Sequence, residues 1–211
     1  MGNEHGCIYV DGSFLFASIE RVKRTHPELA SSKLNVAILS RALHNTFAEN
    51  IGLNLRTNYY FRTKDERIAS MLTVPPPHGQ SGHWQIKECG INLRGMKPVP
   101  TEVLDQLPKQ YRDLYPRAEK GLDMELACDA LLLAASGRVQ SFVFLIGDRD
   151  FMPLLTAVQR LGSNTYIAGL DVQQHVPSEL LNLADRYATL EGWLNQIFAY
   201  TPQPPPVIAS P

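Results

Sequence analysis

The sequence predicts an α/β fold, a mostly parallel sheet covered by helices on both faces, and three observations predict it. Short apolar runs alternate with longer stretches of helical periodicity. Two of the runs, Cys7-Ile8-Tyr9-Val10 and Ser141-Phe142-Val143-Phe144-Leu145-Ile146, are almost continuously apolar, as strands buried on both faces are. Both runs stop at turns that join aspartate to glycine, Asp11-Gly12 and Gly147-Asp148.

Each element follows in order. After the strand at 7–10, a helix is predicted over about Ser13 to Arg24, with Arg21, Lys23 and Arg24 near the end where cations suit the helix dipole. A second helix spans about Leu34 to Glu49, and the β-rich stretch Asn54 to Phe61 reads as a strand. Residues 73–83, with three consecutive prolines, read as a surface loop. A short helix is expected over Trp84 to Glu88, a strand near Ile91–Met96, and short charged helices or an ordered loop over 101–119. Gly121 opens a helix that Gly137 stops. The strand at 141–146 leads to a helix from Phe151 to Leu161, a strand from Thr165 to Gly169 and a helical pattern over 178–198. Thr201–Pro211 holds too many prolines for either element and reads as a mobile tail or a polyproline ligand. The expected organisation is one domain over 1–198 and a proline-rich tail over 199–211.

A chain of 211 residues, 44% hydrophobic and 19% charged, has enough apolar material for one sizeable core. No apolar run approaches the roughly 20 residues needed to span a bilayer, and the start lacks the pattern of a secretory signal, so a cytoplasmic protein with no membrane partner is expected. Cys7, Cys89 and Cys128 are too few and too scattered for a disulfide framework. His78, His83 and Cys89 lack a fourth zinc ligand. The net charge of −1 covers an asymmetry: residues 1–97 carry 12 basic and 8 acidic side chains, residues 98–211 carry 8 and 13. Any nucleic acid must therefore be held by a local basic face, not by bulk charge.

In a parallel α/β sheet the functional groups gather at the carboxyl ends of the strands. Asp11 and the pair Asp148 and Asp150 follow the two most apolar strands, which are expected to be central neighbours. The helix opened by Lys120-Gly121-Leu122-Asp123 adds Asp123 and, six residues on, Asp129. Helical spacing places Asp129 with Leu122, Leu126 and Leu133, where a carboxylate has to be hydrogen-bonded, paired or ligated. Each acid has a structural alternative: Asp11 and Asp148 as helix caps, Asp123 as first-turn helix charge. Their joint placement favours a site for a hard cation, Mg²⁺ or Mn²⁺. Asp123 and Asp129 lie about 120° apart around the helix and about 9 Å along it, so both reach one centre only if the helix starts late or water intervenes. Such a site activates water against a phosphodiester.

Ile8-Tyr9-Val10-Asp11-Gly12-Ser13, Lys120-Gly121-Leu122-Asp123 with Asp129, and Gly147-Asp148-Arg149-Asp150-Phe151 resemble the three motifs of the NYN domain, in particular its LabA-like branch, within the PIN-like nuclease superfamily. The resemblance covers roughly residues 6–190. It implies a Rossmann-like three-layer α/β/α sandwich, an endoribonuclease activity with an RNA substrate, and a Mg²⁺ or Mn²⁺ pocket formed by Asp11, Asp123, Asp129, Asp148 and Asp150. Asp11, Asp123, Asp148 and Asp150 would be catalytic, with Ser13, Lys120 and Arg149 on the substrate. A homodimer is compatible with the superfamily. Two positions depart from the pattern: Phe14 stands where the family usually has Asn, and Ile146 where a small hydroxyl residue is common.

Arg149 either contacts phosphate or neutralises the acids. The stretch Arg56–Lys64 either stacks and pairs with single-stranded RNA or buries Tyr59 and Phe61 in the core. A non-catalytic domain that binds RNA or a protein is the competing function, kept open by Phe14. A haloacid-dehalogenase-type phosphatase is disfavoured because Tyr9 stands where its nucleophile belongs, and no Gly-rich dinucleotide or Walker motif is present.

Overall fold

The computed structural model describes residues 5–51, 54–62, 84–89, 91–92, 103, 106, 108, 119–171 and 175–198. The chain runs through β1 (His5–Asp11), α1 (Gly12–Thr25), α2 (Val36–Ile51), β2 (Asn54–Arg62), β3 (Trp84–Glu88), β4 (Ile91–Asn92), β5 (Glu119–Lys120) and α3 (Leu122–Ala135). It continues with β6 (Ser141–Leu145), α4 (Met152–Arg160), β7 (Asn164–Gly169), α5 (Ser178–Leu183), β8 (Arg186–Thr189) and α6 (Leu194–Phe198). Six strands form one all-parallel sheet in the order β3-β2-β1-β6-β7-β8. The expected α/β sandwich, a parallel sheet flanked by helices, is thus the fold. β4 and β5 form a separate antiparallel pair.

The two most apolar runs are indeed the central neighbours, with Ile8 opposite Val143 and Val10 opposite Leu145. Alternation along β1 sends Ile8 and Val10 to one face, where α1, α2 and α6 close over them with Leu15, Ile19, Leu43, Phe47 and Ile197. Cys7 and Tyr9 go to the other face, packed with Phe142 and Phe144 under Leu122 and Leu126 of α3 and Leu155 and Val158 of α4. Asn35 accepts from the backbone N–H groups of Ala37 and Ile38 and so starts α2. Gly121 (φ 92°) and Gly137 (φ 65°) take the left-handed conformations that bracket α3.

Two elements differ from their sequence reading. Trp84–Glu88 is a strand, not a helix, because it pairs in parallel with β2, Tyr59 opposite Gln85 and Phe61 opposite Lys87. The pattern over 178–198 is interrupted by β8, which pairs with β7, Tyr166 opposite Arg186. The carboxylate of Asp185 accepts from the Thr165 N–H at 2.7 Å and fixes that register. The strand expected near 91–96 is described only as Ile91–Asn92, and the loop at 73–83 and the tail at 199–211 lie outside the described residues. Among the described residues no helix is long and apolar enough to cross a membrane.

Candidate functional site

The sheet order has a reversal between β1 and β6: the chain leaves β1 outward through β2 and β3, then returns to the other side of β1. At such a switch point the connections after the two strands part in opposite directions and open a crevice at their carboxyl ends. Asp11 is the last residue of β1 and, 6% exposed, lies at this point. It also caps α1: its Oδ1 accepts from the N–H of Ser13 at 2.8 Å and of Phe14 at 3.2 Å. On the neighbouring strand, buried Ile146 and Gly147 lead to Asp148, whose Oδ1 accepts from the Asp150 N–H at 3.1 Å and starts a 3₁₀ turn, Arg149–Phe151. Capping, offered by the sequence as an alternative to function, is thus something both acids do.

α3 enters from the same edge, because its far end feeds the start of β6 through Gly137. Asp123 stands in its first turn, exposed. Asp150 is exposed on the 3₁₀ turn, and Ser13 is half-buried in the first turn of α1. Lys120 ends β5 immediately before α3.

Asp129 lies deeper. Its Oδ2 accepts from the Tyr9 hydroxyl at 2.7 Å and its Oδ1 sits 3.3 Å from the Lys87 ammonium. The pairing that the sequence demanded is supplied by β1 and β3. The buried stripe of α3 is Leu122, Leu126, Ala130 and Ala134, so Asp129 borders it and is half-buried. Burial, joined by the hydrogen bond to and the charge of Asp129, pushes the Tyr9 phenol far above its ordinary pKa and keeps it a donor. Tyr9 and Tyr59 rings pack at 4.8 Å, and the Lys87 ammonium lies 5.7 Å from the Tyr59 centroid. Tyr59 is thereby part of the packed layer, the structural alternative for the basic strand. Its neighbours Thr63 and Lys64 lie outside the described residues, as do His78 and His83.

Arg149 is exposed and pairs with Glu179 of α5 at 3.0 Å. Phe14 touches both core layers and lies so close to Gly147 that a Cβ there would overlap its ring. The Arg21 guanidinium sits 5.8 Å from that ring. A third strand-end acid escaped the sequence reading: Asp171 follows β7 and lies 3.2 Å from His175. Gly169-Leu170-Asp171 repeats the apolar-run-then-aspartate signal of Val10-Asp11, and that signal would have found it.

Among the described residues no group of three or more His, Cys, Asp or Glu side chains is gathered to hold a metal ion. Asp129 is committed to Tyr9 and Lys87. The strand-end donors are carboxylate oxygens, the chemistry Mg²⁺ and Mn²⁺ prefer, and Mg²⁺ is commonly held by one or two carboxylates with water and substrate phosphate completing its shell. On donor type and number, Asp11 and Asp148 suit such an ion.

A family model, the NYN domain, matches residues 80–191. The match takes in α3, β6 and the acids from Asp123 to Asp150; β1 and Asp11 precede it. No curated protein matches the chain, and neither does any solved structure.

Proposed function

This chain belongs to the NYN domain family, a PIN-like and nuclease-related family, and from that premise we propose that it is a metal-dependent endoribonuclease of the LabA-like branch, working at the carboxyl edge of β1 and β6. One observation carries the reading: two adjacent central strands lead, at the reversal of the sheet, into Asp11, the last residue of β1, and Asp148, three residues past the end of β6. Asp11 and Asp148 would hold Mg²⁺ or Mn²⁺, with Asp123 and Asp150 opening on the same edge as further acids. Bound there, the ion supplies Lewis acidity toward the phosphodiester and lowers the pKa of a water. The protein's own part is orientation. Each carboxylate is oriented by backbone N–H of its own turn, two to Asp11 and one to Asp148, so its oxygens would be presented to a cation without reorganising. Ser13 and Lys120 would be phosphate contacts, and Arg149 would join them by exchanging Glu179 for the substrate.

The test is cleavage of single-stranded and structured RNA by the purified chain with Mn²⁺ or Mg²⁺. Activity is expected to vanish with EDTA and to fall at least about a hundredfold in Asp148→Asn, which keeps the cap and so the fold. Equal cleavage by wild type and variant would identify a contaminant and overturn the assignment. The second reading, a non-catalytic RNA-binding domain, is favoured by Phe14 seated on Gly147 at this edge. RNA binding without cleavage under any divalent ion decides for it.

A further inference from the structure

Phe14 and Arg21 stand two turns apart on one flank of α1, beside its buried stripe of Leu15, Ile19 and Val22. Helical side chains lean toward the N-terminus, and Arg21 reaches back until its guanidinium lies over the Phe14 ring, 5.8 Å from the centroid. The same ring rests on Gly147, which has no side chain to hold it off. Gly147 immediately precedes Asp148 and its turn. The backbone N–H of Phe14, meanwhile, donates to Asp11 Oδ1 at 3.2 Å. Phe14 therefore touches both acid-bearing turns, one with its backbone and the other with its ring.

The guanidinium above the ring is aimed from two sides. It donates to Oγ of buried Ser18 at 2.9 Å. Burial disfavours its charge, and the charge of Asp171, two residues past the end of β7, offsets part of that. Its Nε is buried with no hydrogen-bond partner among the described residues, a cost that an aliphatic side chain over the ring would avoid. A cation is kept here against that cost, and what it gains is the electron-rich face of Phe14.

We infer that Arg21 is a positioning residue of the carboxyl edge: held over Phe14, it fixes the ring against Gly147 and so holds the Asp148 turn beside the cap of Asp11. The hold on the turn is a property of the fold, and its effect on catalysis rests on the nuclease reading.

Amide hydrogen exchange and RNA cleavage by the same purified full-length variants test this. The informative amides are those of Asp150 and Phe151, which donate to Asp148 Oδ1 and to the Asp148 carbonyl. Arg21→Met keeps an unbranched stem over the ring and removes the charge. It is expected to speed exchange at both amides at least about fivefold, with the melting temperature lowered by no more than about 4 °C. Arg21→Lys should recover at least half of the lost protection, and in a Phe14→Leu background Arg21→Met should add nothing. In cleavage, Arg21→Met should raise the Mn²⁺ concentration for half-maximal rate at least about threefold and leave the KM for RNA unchanged. Unchanged exchange at the two amides overturns the proposal. So does Arg21→Lys behaving as Arg21→Met, or an undiminished effect of Arg21→Met in the Phe14→Leu background. A raised KM for RNA at an unchanged Mn²⁺ requirement would make Arg21 a phosphate contact and equally overturn it. A wild type that cuts no RNA with any divalent ion removes the nuclease reading instead, and the exchange measurements still decide whether Arg21 holds the turn.

Discussion

Asp11 and Asp129 serve the same face of the sheet and are held in opposite ways. Asp11 is gripped by the N–H groups of Ser13 and Phe14, the next turn of its own chain. Asp129 is gripped by side chains from two other elements, Tyr9 on β1 and Lys87 on β3. A carboxylate held by its own turn is replaceable, as a cap, by any side chain that caps equally well. One held by distant partners ties the layers together, and its charge is spent on that task. The difference separates a candidate reactive edge from a structural brace.

The largest expected effect breaks or supports this division directly. Asp11→Asn should lower RNA cleavage at least about a hundredfold while leaving the melting temperature nearly unchanged, whereas Asp129→Asn should keep activity within a few-fold. Parallel assays of the two purified variants check this, and equal losses would erase the distinction. On stability the order reverses. Asp129→Ala removes the acceptor of a buried phenol and the partner of Lys87, and should cost about 1–3 kcal/mol in urea unfolding. Gly147→Ala sharpens the picture of the edge, since its methyl has to displace the Phe14 ring. A loss of about 1–3 kcal/mol is expected, relieved in the Gly147→Ala, Phe14→Ala double variant relative to the sum of the singles.

The smallest effect lies away from both regions. His44 is half-buried with Nε2 3.2 Å from Asn58 Oδ1, and Asn58 donates to Ser40 Oγ at 2.8 Å. Burial holds the His44 pKa below its ordinary 6.5, against a smaller opposing pull from Asn58. The unfolded chain therefore takes up that proton first. Stability from this group is present above pH 6.5 and lost as pH falls through that value toward the folded pKa. Melting temperatures between pH 7 and pH 5 should decline less steeply in His44→Gln than in the wild type.

The sequence was legible where local pattern and burial agree. β1 and β6 announce themselves by unbroken apolar runs, and α3 by the glycines at both ends. Asp11 and Asp148 were legible for the same reason, being the first polar residues after those runs. β3 was not. Trp84–Glu88 alternates poorly and buries little, and becomes a strand only because β2 offers it a partner. β8 hides between two helical turns, with no glycine or proline between Leu183 and Glu191 to mark it, and pairing with β7 overrides the helical periodicity. For Asp129 the obligation to be paired could be read from its neighbours on the helix. The identity of Tyr9 and Lys87 could not, because they lie 120 and 42 residues away in sequence.

The position of β1 has a consequence during synthesis. It leaves the ribosome before every other strand of the main sheet, yet one of its two neighbours, β6, is more than a hundred residues downstream. At roughly 5–20 residues per second the nascent chain carries Ile8 and Val10 half-paired for on the order of ten seconds or more. Through that interval β2 is the one strand partner of β1 and α1 and α2 can cover Ile8 and Val10, while the far edge of β1 and the Tyr9 face wait for β6 and α3.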